Sequence, residues 1–286
     1  MLLQITNTCT YGCRHCMQNS TPEPQHMTIP LFNNVMKFIE VLGARMICVT
    51  GGEPTDHPEW DQFVFALCAR LEREPFSIVH LATNGKWLGD RTIEGKIVDL
   101  FEQFHNFYVQ VTTIEDLYPN HEQTIEAYNA FIDSLPEKWV GNCSLTTELT
   151  TIVSLGRAAT DPEYSQIAAN NPRQMTSCFA STLTAAQTNL VDAHRILEAK
   201  AKFCHPLVDW RGGVHWSESW LCPPFGTIPD NGDFDHFAFA ELVRAAHSWR
   251  PCGKCADYQK LLNNHTSVYE AGKRMLGIPS ENKVIK

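Results

Sequence analysis

The 286 residues carry 32 acidic against 23 basic side chains, a formal net charge of −9. That balance excludes the broad basic face by which nucleic-acid and anionic-membrane binders hold their partners, though a short basic patch is compatible with it. Hydrophobic residues at 43% and charged residues at 19% describe an ordinary globular chain, and no apolar run approaches the roughly 20 residues that span a bilayer.

The first residues lack a basic segment followed by a long apolar one, so no secretory signal is expected. Eleven clustered cysteines then point to metal ligation plus buried thiols rather than disulfides, and a cytoplasmic location is expected, where thiols stay reduced. The length suits one large domain with an appendage.

In chain order, residues 2–7 read as a strand that ends on the loop Cys9-Thr-Tyr-Gly-Cys13-Arg-His-Cys16. Pro22 and Pro24 make residues 18–27 a connection. Thr28 as N-cap and Pro30 in the first turn start a helix to about Leu42, with Leu31, Val35, Phe38, Ile39 and Leu42 on one face and Gly43 as its stop. A strand over 45–50 ends on Gly51-Gly52-Glu53-Pro54. There follow a helix over 60–73, a strand over 77–82 ending on Thr83-Asn84-Gly85, and a helix over 91–104. A strand over 107–112, a helix over 123–135 and a strand over 145–154 complete the repeats. The alternation predicts right-handed βαβ units and a parallel sheet. The fold class is α/β, a partial (β/α)6 TIM-like barrel whose polar loops gather at the carboxyl ends of the strands.

After Arg157 the pattern weakens. Residues 161–169 and 191–201 read as helical, and no sixth strand can be placed. Between Cys204 and Cys255 lie four of the seven tryptophans and four cysteines, a change in composition that sets a boundary near residue 200. Residues 1–200 form the core, and 201–286 a small C-terminal cysteine-rich α+β appendage with a helix in its last segment. Within it, 222–234 reads as a hairpin turning at Asn231-Gly232.

Three thiolates, in the spacing C-x3-C-x2-C, leave one iron of a four-iron cluster without a protein ligand, whereas a closed structural site uses four. An iron with a vacant position can bind a small molecule and act on it. The spacing alone also admits a zinc site completed elsewhere, or plain thiols. Gly51-Gly52-Glu53-Pro54, taken alone, is a tight turn with a carboxylate; its glycines permit close approach to a ligand, and the carboxylate can receive an amino group.

Together, each straight after a strand, the two motifs resemble those of the radical SAM superfamily. The resemblance implies that Cys9, Cys13 and Cys16 hold a [4Fe–4S] cluster whose open iron chelates the amino and carboxylate groups of S-adenosylmethionine. It implies that Gly51, Gly52, Glu53 and Pro54 bind the methionine amine, and that Thr83 and Asn84 lie near the ligand's carboxylate and ribose. It places His15 as packing on the adenine rather than as a base. Thr112 and Thr113 at the fourth strand end are expected to offer hydroxyls to the ribose, and Ser154 and Arg157 at the fifth to contact ribose and carboxylate. In such a site an electron from the cluster cleaves the sulfonium to a 5′-deoxyadenosyl radical.

The second cysteine group is Cys204, Cys222, Cys252 and Cys255, the last two in a C-x2-C knuckle. Four thiolates make a closed zinc site or a fully ligated cluster, and spacing does not choose between them. The arrangement resembles the twitch appendage, the shortened SPASM domain, of the aminoglycoside-pathway radical SAM alcohol dehydrogenases. More distantly it is similar to the tail of the anaerobic sulfatase-maturating enzymes. That resemblance implies one auxiliary [4Fe–4S] cluster. Cys48 and Cys68 read as buried small hydrophobes, and Cys143 lies near a strand start. Cys178 reads as an ordinary thiol, with hydrogen-atom donor or alternative cluster ligand as its other readings.

The function implied is an oxidoreductase-like radical enzyme, reduced by a flavodoxin or ferredoxin. It would take a hydrogen atom from a small polar metabolite such as a sugar, cyclitol or nucleoside, with the auxiliary cluster accepting an electron. The alternative is epimerisation, crosslinking or oxidation of a ribosomally made peptide. A first strand at the very N-terminus leaves no room for a leader-binding domain, which favours the small molecule. Neither a nucleic-acid nor a membrane partner is expected. A reading of another class, a non-catalytic iron–sulfur or zinc module, explains the cysteines but leaves Gly51–Pro54 without a purpose.

Overall fold

Residues that alternate between apolar and polar build a sheet with one face under helices. The computed structural model describes residues 1–147, 156–163, 207–215, 220, 224–232, 237–238 and 240–242. Its elements are β1 (Leu2–Thr6), α1 (Ile29–Leu42), β2 (Met46–Gly51), α2 (Trp60–Leu71), β3 (Ile78–Thr83), α3 (Arg91–Gln103), β4 (Phe107–Thr112), α4 (His121–Ser134) and β5 (Cys143–Thr146). The five strands run parallel in the order β5-β4-β3-β2-β1, the α/β arrangement of a partial TIM-like barrel that the alternation predicts.

Local chemistry sets the ends of the helices. The Thr28 hydroxyl accepts from the Leu31 amide at 3.3 Å, and Gly43 closes α1 with φ at 62°. Asp90 caps α3 by accepting from Thr92 N at 2.9 Å. Every second strand residue (Ile47, Val49, Val79, Leu81, Phe107, Val109, Val111) is buried in the core with the helices. Their neighbours face the other way and are more polar. Register puts Leu2, Cys48, His80 and Tyr108 in one row across the strands, and Ala82, Gln110 and Ser144 in the next. Cys68 is buried as expected, but Cys48 lies only half-buried on this second face.

Gly95 is exposed inside α3, and a Cβ there meets nothing within 4 Å. Gly95→Ala should raise stability by about 1 kcal/mol through backbone entropy, read as a higher urea midpoint.

Beyond the core, β6 (Leu207–Val208) pairs parallel with β1 on the edge opposite β2, and β7 (Gly213–His215) and β8 (Gly226–Thr227) follow antiparallel. A hairpin of β6 and β7 turns at 209–212, while the return strand of the hairpin expected over 222–234 begins, at residue 233, outside the described residues. The Asp209 carboxylate makes this turn by accepting from Arg211 N at 2.8 Å and Gly213 N at 2.9 Å, while Gly212 supplies φ of 87°. Gly226–Thr227 runs back along β7. Asn231-Gly232 is only a bend, docked on α1 by Asn34 Nδ2 donating to Gly232 O at 3.2 Å. β5 starts two residues earlier than expected, and its remainder, with most of the helix expected over 161–169, lies outside the described residues; a helical turn over Arg157–Thr160 precedes it. Among the described residues no helix is long and apolar enough to cross a membrane.

Asp209 is fully buried and also accepts from His215 Nε2 at 3.0 Å. Burial pushes its carboxyl up, but His215 and the Gly213 and Arg211 amides outweigh that and hold it below the ordinary carboxylate value. A depressed carboxylate contributes stability that is present above the unfolded value and lost as pH falls through the folded one. Asp209→Asn should cost about 2 kcal/mol at pH 7. The deficit should narrow as the pH falls below the ordinary carboxylate range, read from urea midpoints along a pH series.

Candidate active site

Three strand ends converge. β1 runs into the cysteine loop, β2 into Gly51–Pro54, and β3 into Thr83–Asn84. The end of β2 is zipped onto the loop, with Gly52 N donating to Thr6 O and Glu53 N to Thr8 O, both at 2.9 Å. A Cβ on Gly51 would sit 2.5 Å from Thr6 O, and one on Gly52 would sit 2.3 Å from Thr8 O and 2.8 Å from Cys9 Cβ. The two glycines thus admit the chain's own cysteine loop, where the sequence suggested room for a ligand.

Glu53 turns inward and is 0% exposed. Its Oε1 accepts from Thr55 N at 3.2 Å, Thr55 Oγ1 at 2.7 Å and Thr83 Oγ1 at 2.7 Å, and its Oε2 from Asn84 N at 2.8 Å. Burial pushes its carboxyl above the ordinary value despite these donors. A carboxylate so placed is preorganised for a cation, because an opposite charge offsets the desolvation that burial imposes.

Cys9 is buried, and Cys13 and Cys16 are half-buried. Burial pushes the Cys9 thiol up to about 11, with the charges of Glu53, Cys13 and Cys16 adding to it. Burial likewise takes Cys13 to about 11, with the Cys16 charge adding and Arg157 opposing. The three sulfurs and the buried acid therefore share one electrostatic neighbourhood. Asn84 Nδ2 lies 3.8 Å from Cys9 Sγ, and Ser20 N donates toward Cys16 Sγ at 3.5 Å. Among the described residues no three His, Cys, Asp or Glu side chains close on a single metal ion. One zinc with Zn–S of about 2.3 Å needs sulfurs within roughly 4 Å of one another. A cubic cluster spreads its thiolates over different irons, further apart. Three thiols on one loop, with N–H groups directed at two of them, are a donor set that fits an iron–sulfur cluster. Ligation needs thiolates, so the raised thiols must release protons on loading.

The other expected residues divide. Thr83 and Asn84 join the site through Glu53. Arg157 grips the cysteine loop: its Nη1 donates to Cys13 O at 3.1 Å and its Nη2 to Ser20 O, while its amide donates to Cys16 O at 3.0 Å. It holds the loop's backbone in shape. Thr112 is half-buried at the end of β4. Thr113 is buried, with its amide on Thr146 O at 2.9 Å and its hydroxyl 3.3 Å from His121 Nδ1. Pro54, itself buried, opens a single turn, Pro54–Asp56. Ser154, Cys178, Cys204, Cys222, Cys252 and Cys255 lie outside the described residues.

His15 is half-buried, and burial followed by the charge of Arg157 lowers its imidazole. Its ring meets Tyr118 at 5.1 Å, and Tyr118 meets Tyr11 at 6.5 Å. Tyr118 is the residue that sequence reasoning missed. Burial raises its phenol, and the charges of Cys13, Glu53, Cys16 and Cys9 raise it further, so it faces the same space as all four. No motif marks it. Beside it opens a cleft of about 490 Å³ lined by Tyr11, Cys13, Glu115, Tyr118 and His121.

A parallel α/β sheet carrying three cysteines on its first strand loop, and a buried acid beside them on its second, is the arrangement that the resemblance to the radical SAM superfamily implies. Residues 3–141 match the family model described as the Radical SAM superfamily. Among solved structures it is similar to SuiB of Streptococcus suis, crystallised bound to the precursor peptide SuiA. That match has 12% identity and a TM-score of 0.42, over 75% of this chain and 58% of that one. It is also similar to native anSMEcpe with bound AdoMet and the Cp18Cys peptide, at 11% identity and a TM-score of 0.41, over 96% and 97% of the two chains. The chain thus spans 58% of the length of the SuiB chain. No curated protein matches it.

Proposed function

We propose that this chain binds S-adenosylmethionine on a [4Fe–4S] cluster held by Cys9, Cys13 and Cys16, and uses it to take a hydrogen atom from a substrate. When bound, the cluster supplies the electron that splits the sulfonium, and the resulting 5′-deoxyadenosyl radical abstracts the hydrogen. The observation that carries the reading is Glu53, wholly buried and electrostatically coupled to Cys9. An electron carrier or zinc module has no use for such an acid. In this reading Glu53 receives the methionine amino group, Thr83 and Asn84 fix the acid, and Arg157 shapes the loop. Thr112 and Thr113 lie toward the ribose, and His15 and Tyr118 wall the adenosine side.

We further propose a cytoplasmic enzyme reduced by a flavodoxin or ferredoxin. Residues 201–286 would form an auxiliary unit in which Cys204, Cys222, Cys252 and Cys255 hold a second cluster. A peptide is the first substrate class to test, because SuiB and anSMEcpe are both recorded with peptides. The small polar metabolite that the sequence put first becomes the second. Both classes suit the polar strand face that carries Gln110 and Ser144.

The test is anaerobic reconstitution with dithionite and S-adenosylmethionine. The intact chain should release 5′-deoxyadenosine and Cys13→Ala should not; no release from iron-loaded chain counts against the enzyme. Iron per chain at one cluster's worth removes the auxiliary site. Deuterium carried into 5′-deoxyadenosine from labelled peptides, or from labelled sugars, assigns the substrate class.

A further inference from the structure

The position of Trp220 has a consequence for the cysteine loop that no motif carries. Asn7, at the start of that loop, is 1% exposed. Its side-chain oxygen lies within hydrogen-bond distance of three donors: Gln4 Nε2 at 3.3 Å, Ser20 Oγ at 3.1 Å and Trp220 Nε1 at 3.2 Å. An amide oxygen has two lone pairs, so one donor is surplus. The Trp220 indole cannot turn away, because Trp210 meets it edge-on at 4.7 Å and the Arg211 guanidinium covers it at 4.9 Å. Its own amide is tied to Gln18 Oε1 at 3.4 Å. The Ser20 hydroxyl can rotate. Its second neighbour is Cys16 Sγ at 3.7 Å, which here gives its thiol hydrogen to Ser20 Oγ.

A thiolate on iron has no hydrogen to give and becomes an acceptor. We propose that, with the cluster loaded, the Ser20 hydroxyl turns from Asn7 to the Cys16 sulfur. Trp220 and Gln4 keep Asn7 satisfied, so Trp220 is a positioning residue for the electron affinity of the cluster. The inference rests on the proposed function, in that Cys16 must ligate iron. Hydrogen bonds to cluster sulfurs favour the more negative, reduced state and so raise the reduction potential. Without Trp220, Asn7 reclaims the Ser20 hydroxyl and the sulfur loses a donor.

The test is potentiometric titration of the reconstituted full chain, following the EPR signal that changes on adding S-adenosylmethionine. Ser20→Ala and Trp220→Phe should both move the midpoint to more negative potential at unchanged iron content. The double variant should move it no further than Ser20→Ala alone. Pulsed EPR in D2O should show one exchangeable proton fewer coupled to the cluster in Ser20→Ala than in the intact chain, the Ser20 amide and Asn84 side-chain N–H groups being present in both. This second measurement decides the matter even if Trp220→Phe loads no iron. Unmoved potentials, or the same exchangeable couplings in Ser20→Ala as in the intact chain, overturn this inference alone. An intact chain that takes up no iron overturns the proposed function with it.

Discussion

Glu53→Gln should abolish S-adenosylmethionine binding while leaving iron uptake at the level of the unaltered chain. The side chain keeps its size and most of its hydrogen-bonding capacity, so the loop it abuts has little reason to move. What disappears is the negative charge. Glu53 is fully buried, and in the proposed complex it faces the ammonium of the ligand. Removing one partner of a buried, hydrogen-bonded ion pair costs about 3–5 kcal/mol, because the other charge is left desolvated. At about 1.4 kcal/mol per decade that is roughly a hundred- to several-thousand-fold in affinity. Equilibrium dialysis of iron-loaded protein reads the loss directly. Binding within tenfold of the unaltered chain would remove Glu53 from the ligand.

The same substitution has a signature without ligand. Burial raises the Glu53 carboxyl above its ordinary value. Between the ordinary and the raised value the folded chain keeps a proton that the unfolded chain has lost, so stability falls as pH rises through that window. Glu53→Gln should flatten this slope in thermal melts of the metal-free protein. A steeper slope in the variant would mean that some other group titrates there.

Much of this was legible because the core obeys strict periods. β4 falls at 107–112 as alternation predicts, and β2 and β3 differ from expectation by one residue at each end. The cysteine loop and Glu53 were legible through chemistry that needs those residue types at strand ends. Other features leave no such trace. β6 has two residues, too few for any period, and its turn is made by the Asp209 side chain rather than by an Asn-Gly pair. Arg157 binds backbone carbonyls, which every residue has, so no spacing reveals its partners. Tyr118 reaches the cysteines from the loop after β4, through packing against His15 and Tyr11 that one-dimensional patterns do not encode. Gly51 and Gly52 were legible as requirements for close approach. What approaches them, the Thr6–Cys9 backbone, was not.

That last distinction sets the second large effect. Gly52→Ala should cost roughly 3 kcal/mol or more, because its new methyl overlaps backbone, which cannot move aside as a flexible side-chain tip does. The obstructing atoms are Thr8 O at 2.3 Å, Thr8 C at 2.7 Å and Cys9 Cβ at 2.8 Å. Relief requires β2 and the cysteine loop to part, which breaks the Gly52 N to Thr6 O and Glu53 N to Thr8 O bonds and draws Cys9 away from Glu53. Iron uptake should therefore fall together with stability, although no ligand atom has been removed. Gly141→Ala is the control, since a Cβ there meets nothing within 4 Å and the residue sits at φ of −67°. It should leave iron uptake unchanged and should not lower stability. If Gly52→Ala is destabilised and still loads iron fully, the two strand ends are not coupled. The buried acid and the cysteines would then have to be treated as separate sites, because the contact that joins them in the fold would be one the cluster does not need.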